Sequence, residues 1–386
     1  MSGLSRFTNS INGMALGALL FIGSFLAIYY NEGRINYSDL AAQATEISAT
    51  EQNPDSQLTD KLIYTTGTLA VDNNLSDDLF LIPQQYIALK RTVEIYAWVE
   101  DKTTKNERNS SSQDTNFNIQ PHYQDTEYYY QYHKQWTATP SDSTTFNFPK
   151  EHQNPTKQYS DLELKNDSTK IGQYLLDIQN LTLPEYSKLI LTPQTVNLIS
   201  GVTLASDEYL FIGQGSLAQP QIGDTRISYA VVGINDLSTV FGKISGDKIV
   251  TYCDNQNRSL YRLFNGNQEA ALAKLNTEYV TTLWTFRILS CLLMWLGLIL
   301  LLNPLSAVFH LIPIFGKLFS TASQTLIRIV TLLIALILSV LAIVISILIH
   351  NILIVGLVLL GLAGLIIGVA ALKRKSSIPP KTVVSH

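Results

Sequence analysis

The chain has 386 residues, 46% of them hydrophobic, with 27 Lys and Arg against 31 Asp and Glu for a formal net charge of −4. A soluble chain of this length would suit two or three domains, but long tracts without a single charge exclude a freely soluble protein. No nucleic-acid partner is expected.

The first tract, residues 11–30, contains MALGALLFIGSFLAIYY. It reaches the roughly 20 residues that cross a hydrocarbon core of about 30 Å. Only Arg6 precedes it, and FLAIYYNEG offers no small-x-small cleavage site, so an uncleaved signal-anchor is expected. Beyond it, SDLAAQATEIS at 38–48 reads as a short helix. From Leu62 the texture changes to strands: LIYTTGTLAV, then DDLFLIPQQYIAL, then KRTVEIYAWVE at 90–100. The last alternates cleanly, with Val93, Ile95, Ala97 and Val99 on one face and Glu94, Tyr96, Trp98 and Glu100 on the other. Residues 101–124 read as a polar hairpin loop, and TEYYYQYHKQW at 126–136 as the antiparallel return. It places aromatic partners opposite Tyr96 and Trp98, which favours a second packed layer over a bare binding face. Helix is expected from 158–161 onward, at 184–191 and at 268–276, and strands at 209–212, 225–232 and 248–252.

Residues 288–302 supply 15 apolar residues, about 22 Å of helix at roughly 1.5 Å per residue. The tract spans a membrane only with its flanks, so a helix over 288–309 is expected, kinked at Pro304, with Arg287 snorkelling to the headgroups. Two further spans follow at 329–349 and 352–372. Between them and the second span, residues 310–328 suit either a helix lying in the interface or an extension of the neighbouring helices. All 31 acidic residues fall within 31–287 with 20 of the 27 basic ones, leaving that segment at −11 and the rest at +7. By the positive-inside rule, the N-terminus (1–10), the 310–328 loop and the tail (373–386) belong to the cytoplasmic side. The expected architecture is therefore four transmembrane helices, one N-terminal and three C-terminal. A large β-rich α+β extracytoplasmic domain, periplasmic or lumenal, occupies residues 31–287. Cys253 lies in that domain and Cys291 in a span, so no intramolecular disulfide is expected.

No metal, cofactor or nucleotide motif is present. The six histidines (122, 133, 152, 310, 350, 386) never take ligand spacing, and GKISGDK at 242–248 lacks phosphate-loop spacing. Five N-x-S/T sequons, at Asn74, Asn109, Asn166, Asn180 and Asn257, matter only in a eukaryotic lumen. Three polar clusters stand out. Arg91, Glu94 and Glu100 could form a charged patch, although strand-face carboxylates are ordinarily solvated. EHQNPT sets His152 and Asn154 before Pro155, where acid–base work competes with an Asx-turn ahead of proline, the favoured reading. IGDTRISY places Gly223 and Asp224 in a turn opening a strand, with Arg226 aimed at a buried carboxylate or the opposite sheet face, in a structural role. The spans carry no Asp, Glu, Lys or Arg, which argues against a pump or secondary transporter. Gly13 and Gly17 in the first span, and Gly364 and Gly368 in the fourth, with Gly361 nearby, have the four-residue spacing of helix-association faces.

Five motifs in order carry a family resemblance. They are RTVEIYAWVE; YYYQYHKQW ending in Trp136; HQNP at 152–155; IGQYLL with Gly172; and PQIGDTRISY with Gly223, Asp224 and Arg226. Together with WTFR at 284–287 they resemble the transmembrane protein 43 family, also called LUMA, over about residues 63–316. The loop after Glu100 and the C-terminal tail do not match. The resemblance implies a multipass protein that in animals resides in the endoplasmic reticulum and inner nuclear membrane, self-associates, contacts lamins and emerin-like proteins, and helps organise the nuclear envelope. It implies scaffolding without catalysis or cofactor, with membrane lipids and other membrane proteins as partners. The sequence departs from the animal form far enough that a bacterial inner-membrane member is expected, for which lamins would be no partner. The alternative is a lipid- or envelope-binding module or enzyme, with His152, Glu94 or Arg226 lining a pocket beside the membrane. A third reading is a sensor that relays envelope state inward through residues 304–328.

Overall fold

The computed structural model describes residues 3–50, 58, 60–104, 128–309, 321–351, 356 and 360. The chain divides into a helical unit, residues 1–40 with 273–386, and a β unit, residues 41–272.

The helical unit contains α1 (Gly3–Glu32), most of α3 (Gln268–Phe309) and α4 (Thr321–His350); the one-turn α2 (Tyr37–Ala41) closes the link to the β unit. Among the described residues three helical segments are long and apolar enough to cross a membrane: Gly13–Ala41, Gln268–Leu302 and Arg328–His350. They meet around Ile28, Met294 and Ala335, one from each long helix, with Phe21, Phe25, Trp295 and Leu338 packed about them. Gly17 is used inside the chain: a Cβ there would meet Leu300 Cβ at 2.8 Å and Gly297 O at 2.9 Å. Gly297 is equally pressed against Phe21 N, at 2.7 Å. The pair forms a small-residue seam that lets two backbones approach, whereas Gly13 has open space around it.

One expectation is corrected here. Arg287 does not reach for headgroups; its Nε and Nη2 donate to the two carboxylate oxygens of Glu32 at 2.8 and 2.7 Å. A fork-on-carboxylate pair of this kind satisfies both charges within the protein. Asn31 adds a second tie, donating from Nδ2 to Leu283 O at 3.0 Å. The second span is the lower part of a 42-residue helix that starts at Gln268 and contains Pro304. The expected fourth span (352–372) lies outside the described residues except Gly356 and Leu360, both helical. Residues 310–320, the tail 373–386, and Gly361, Gly364 and Gly368 are also outside them.

Among the described residues the β unit holds seventeen strands: β1 (Thr45–Glu46), β2 (Ile63–Gly67), β3 (Leu69–Val71), β4 (Tyr86–Thr104), β5 (Tyr128–Thr137), β6 (Leu162–Lys165), β7 (Thr169–Ile171), β8 (Tyr174–Leu176), β9 (Ser187–Lys188), β10 (Val202–Leu204), β11 (Leu210–Ile212), β12 (Thr225–Gly233), β13 (Ser238–Ser245), β14 (Lys248–Val250), β15 (Tyr252–Cys253), β16 (Ser259–Leu260) and β17 (Arg262–Asn265). One sheet runs β1-β2-β13-β14-β8-β7-β3 with β17 also on β13. β15 and β16 pair with each other, and the other large sheet runs β10-β11-β12-β4-β5, with β6 on β4 and β9 on β12. Each has its own apolar core. The first is built on Ile63, Ile171, Leu176, Val240 and Ile249, the second on Phe80, Leu89, Val93, Leu210, Ile227 and Tyr229.

The alternation read in KRTVEIYAWVE holds, because Val93, Ile95 and Ala97 are all buried, as a period of two on a half-buried strand requires. Elsewhere local pattern lost to tertiary pairing. Residues 77–85 are not strand, because Asp77 Oδ1 accepts the N–H groups of Leu79, Phe80 and Leu81 and curls the chain into a turn. No helix forms at 158–161, where Asp161 Oδ1 instead takes the Val93 N–H at 2.7 Å at the start of β6. The expected helix at 184–191 is extended and lays β9 along β12. The helix expected over 38–48 stops at Ala41, and Thr45–Glu46 pairs with β2. Residues 101–104 extend β4, and 105–127 lie outside the described residues.

Candidate functional site

β4 is the axis of the motif-bearing sheet, and its two faces do different work. On the inner face, Arg91 sits at the same parity as Val93 and Ile95 and is buried. A guanidinium there needs a carboxylate, and Asp77 supplies it at 2.7 Å. The Tyr229 hydroxyl, from the residue paired with Arg91 across β12, donates to the same Asp77 oxygen at 2.6 Å. Arg91 also donates to Ser160 O from Nε and Nη2. Burial pushes the Asp77 carboxyl up, but the hydrogen bonds from Tyr229, Leu81, Arg91 and Phe80 outweigh it and hold it below the usual range. Burial and the Asp77 charge push the Tyr229 hydroxyl up. Each nitrogen and oxygen of these three side chains has a partner, so this cluster staples the 77–81 turn to the sheet. Arg91 therefore does not join Glu94 and Glu100 in a surface patch. Asp77 and Tyr229 escaped the sequence reading, although an arginine at an inward register position was the signal for a buried acid.

The outer face of β4 collects the remaining motif residues. Arg226 Nε donates to Glu94 Oε2 at 2.7 Å across the β12–β4 pair. Its guanidinium lies 4.8 Å from the Trp136 ring centre and 4.6 Å from that of Tyr209, a cation held between two π faces. Next along β4, Tyr96 faces Trp136 with centroids 5.3 Å apart. Trp98 faces Lys134, whose Nζ is 4.6 Å from its ring. Glu100 faces Tyr132 and accepts a hydrogen bond from its hydroxyl, together with one from the Asn147 N–H at 2.6 Å. Tyr96, Trp98, Tyr132 and Trp136 are each half-buried.

The edge of β4 is closed by the other motifs. β12 pairs as far as Ile95. Gly223 N–H then donates to Tyr96 O, and Tyr96 N–H to Asp224 O, at 3.0 and 2.8 Å. Gly223 takes φ +96 with Pro155 against it, 3.1 Å from where a Cβ would stand. Asp224 caps the preceding loop, accepting the N–H groups of Gln214, Gly215 and Gln221. Beyond that, the Asn154 side chain stands in for a strand. Its Oδ1 accepts Trp98 N–H at 2.7 Å and its Nδ2 donates to Trp98 O at 2.9 Å. His152 lies parallel to Tyr132, centroids 3.6 Å apart, and edge-on to Trp98 at 4.7 Å. Its Nδ1 lies 3.1 Å from Phe148 O.

Gly172 is the motif residue that does not join this face. It turns between β7 and β8 at φ +56, where a side chain would run into Ala49 O. Among the described residues, no three His, Cys, Asp or Glu side chains converge as metal ligands.

Three apolar helices carrying a β unit, with its motif residues locked into one sheet face, define an integral membrane protein with a large non-membrane β domain. The chain belongs to the transmembrane protein 43 family, whose sequence profile, described as Transmembrane protein 43, matches residues 95–352. It is similar to the Transmembrane protein 43 homolog of Drosophila melanogaster, 25% identical over 328 residues that cover 81% of this chain and 83% of that protein. It is also similar to Transmembrane protein 43 of Rattus norvegicus and Homo sapiens, each 23% identical over 82% of this chain and 80% of theirs. No solved structure matches it.

Proposed function

We propose that this chain is a multipass membrane scaffold that self-associates and organises membrane or envelope protein complexes, in the manner of the family's role at the inner nuclear membrane. The observation that carries the reading is the outer face of β4. Its carboxylates, histidine and arginine are engaged by the protein's own groups, while Trp98, Tyr132, Lys134 and Trp136 remain partly accessible. Such a surface suits a partner that packs on aromatic anchors better than a substrate needing a free acid, base or nucleophile. The reading is therefore not an enzyme. The charge asymmetry between 31–287 and the remainder supports both termini on the cytoplasmic side and the β domain outside. Because Gly17 is occupied by α3, the helix-association face is assigned to Gly361, Gly364 and Gly368.

The test is the mass of the full chain in mild detergent, joined to in-cell crosslinking from a photoreactive residue at Lys134. An oligomer, with crosslinks to itself or to other membrane proteins, is expected. A strict monomer that crosslinks to nothing would refute the scaffold reading.

A further inference from the structure

Two loops of the β unit stand apart from the rest of its surface in composition. Residues 79–89 and 189–206 contain no Asp, Glu, Lys, Arg or His, in a unit that elsewhere holds 28 of the chain's 31 acidic residues. The loops are joined: Leu81 bridges Val196, Asn197 N–H donates to Phe80 O at 2.7 Å, and Ile82 N–H donates to Thr195 O at 2.9 Å. Phe80, Leu81 and Val196 point inward and are buried. Leu79, Ile82, Ile190, Leu198 and Ile199 are not, with 36% to 65% of their surface exposed.

Exposed aliphatics grouped on joined loops mark a contact surface. Three features choose its occupant. First, the group is purely Leu and Ile, without the Trp, Tyr and Arg that anchor protein interfaces. Second, the backbone that joins the two loops is paired internally. Besides the cross-loop bonds, Thr192 N–H donates to Thr195 Oγ1 at 2.8 Å and Val202 N–H to Ile199 O at 3.1 Å. Irregular backbone can approach an apolar phase only in that condition. Third, membrane-spanning segments flank the β unit on both sides in sequence, so it is tethered at high effective concentration beside a bilayer.

We propose that the β domain docks on the lipid bilayer by inserting the aliphatic tips of these two loops, Leu79, Ile82, Ile190, Leu198 and Ile199, into the headgroup and upper acyl region of one leaflet. Asp78, exposed next to Leu79 and hydrogen-bonded by Ser76, keeps the insertion shallow, since an ionised carboxylate is costly deeper in the membrane. Contact depends on apolar insertion and takes place on zwitterionic lipid. It requires no self-association, so it stands or falls apart from the scaffold reading.

The test uses the full chain with Cys253→Ser and Cys291→Ser, reconstituted in phosphatidylcholine nanodiscs. An environment-sensitive fluorophore is placed singly through Leu198→Cys, Ile190→Cys or, as a control, Asn257→Cys, each an exposed position. Melting temperatures matching the unlabelled parent establish that each variant folds. The labels at 198 and 190 are expected to shift to the blue and to be quenched severalfold more than the control by lipids carrying a shallow spin label. Equal quenching at all three positions overturns the proposal. So does a blue shift at 198 and 190 without lipid quenching, which would mean that protein, a second copy or another chain, covers the loops.

Discussion

Arg91 shows how a single side chain dictates its neighbours. Placed inward on an alternating strand, it forces a carboxylate, a phenol and a carbonyl to converge on one buried point. Arg91→Met strands the Asp77 charge with only neutral donors and should lower stability by about 3–5 kcal/mol, the usual result of halving a buried pair. Unfolding of the full chain in detergent, followed by tryptophan fluorescence, reads this directly. The pH dependence has a definite sign. Because the folded Asp77 carboxyl lies below its unfolded value, its contribution is complete above the unfolded value near 4 and disappears as pH falls through the folded one. The melting-temperature gap between the parent and Asp77→Asn should be constant from about pH 7 to 5 and shrink toward pH 3. Asn154 makes an equally specific demand. Asn154→Ala leaves the Trp98 N–H and C=O without their partners, at about 1–3 kcal/mol for groups of this kind. Hydrogen exchange at the Trp98 amide should accelerate, while the Val93 amide, held by Asp161, should keep its rate.

Elements differ in how far their identity is local. β4 and β5 were readable because ten residues of strict alternation need no distant information. The same is true of α1 and α4, whose apolar length is their own property. The two-residue β9 was read as helix because nothing in 184–191 announces a partner at Ala230 and Val231. Residues 77–85 were read as strand because the competing Asx-turn is worth a few hydrogen bonds that only Asp77 reveals. Within the motif face, the pairing of β4 with β5 and the turn at Gly223–Asp224 were legible. The role of Asn154 as a strand substitute was not, since it requires knowing where β12 ends. In the helical unit, the four-residue glycine spacing was visible but its partner was not. Gly17→Leu should lower the melting temperature in detergent by opening the α1–α3 seam, and Gly13→Leu should leave it unchanged. Equal effects at the two positions would argue against the seam.

At the scale of the whole molecule, the proposed topology, with both termini on one side and the β unit on the other, is one that Cys253 can test, since it is exposed in the β unit. In sealed vesicles, a membrane-impermeant maleimide should reach Cys253 only from the side opposite the termini; modification from the terminal side would reverse the orientation. The long central strand has a further consequence, for the order in which the protein is made. Ile95 pairs with Thr225 and Tyr86 with Gly233, 130 and 147 residues later in the chain. At a synthesis rate of roughly 5–20 residues per second, β4 emerges some 7–30 s before the strand that covers its flank. β5 arrives far sooner and pairs along β4 from Ile95 to Thr104, so a hairpin stands half-finished while the remainder is translated. In that interval α1 has already been made, while the edge of β4 that β12 covers has no partner yet. Assembly of so non-local a sheet is therefore expected to be slow beside the closing of its β4–β5 hairpin.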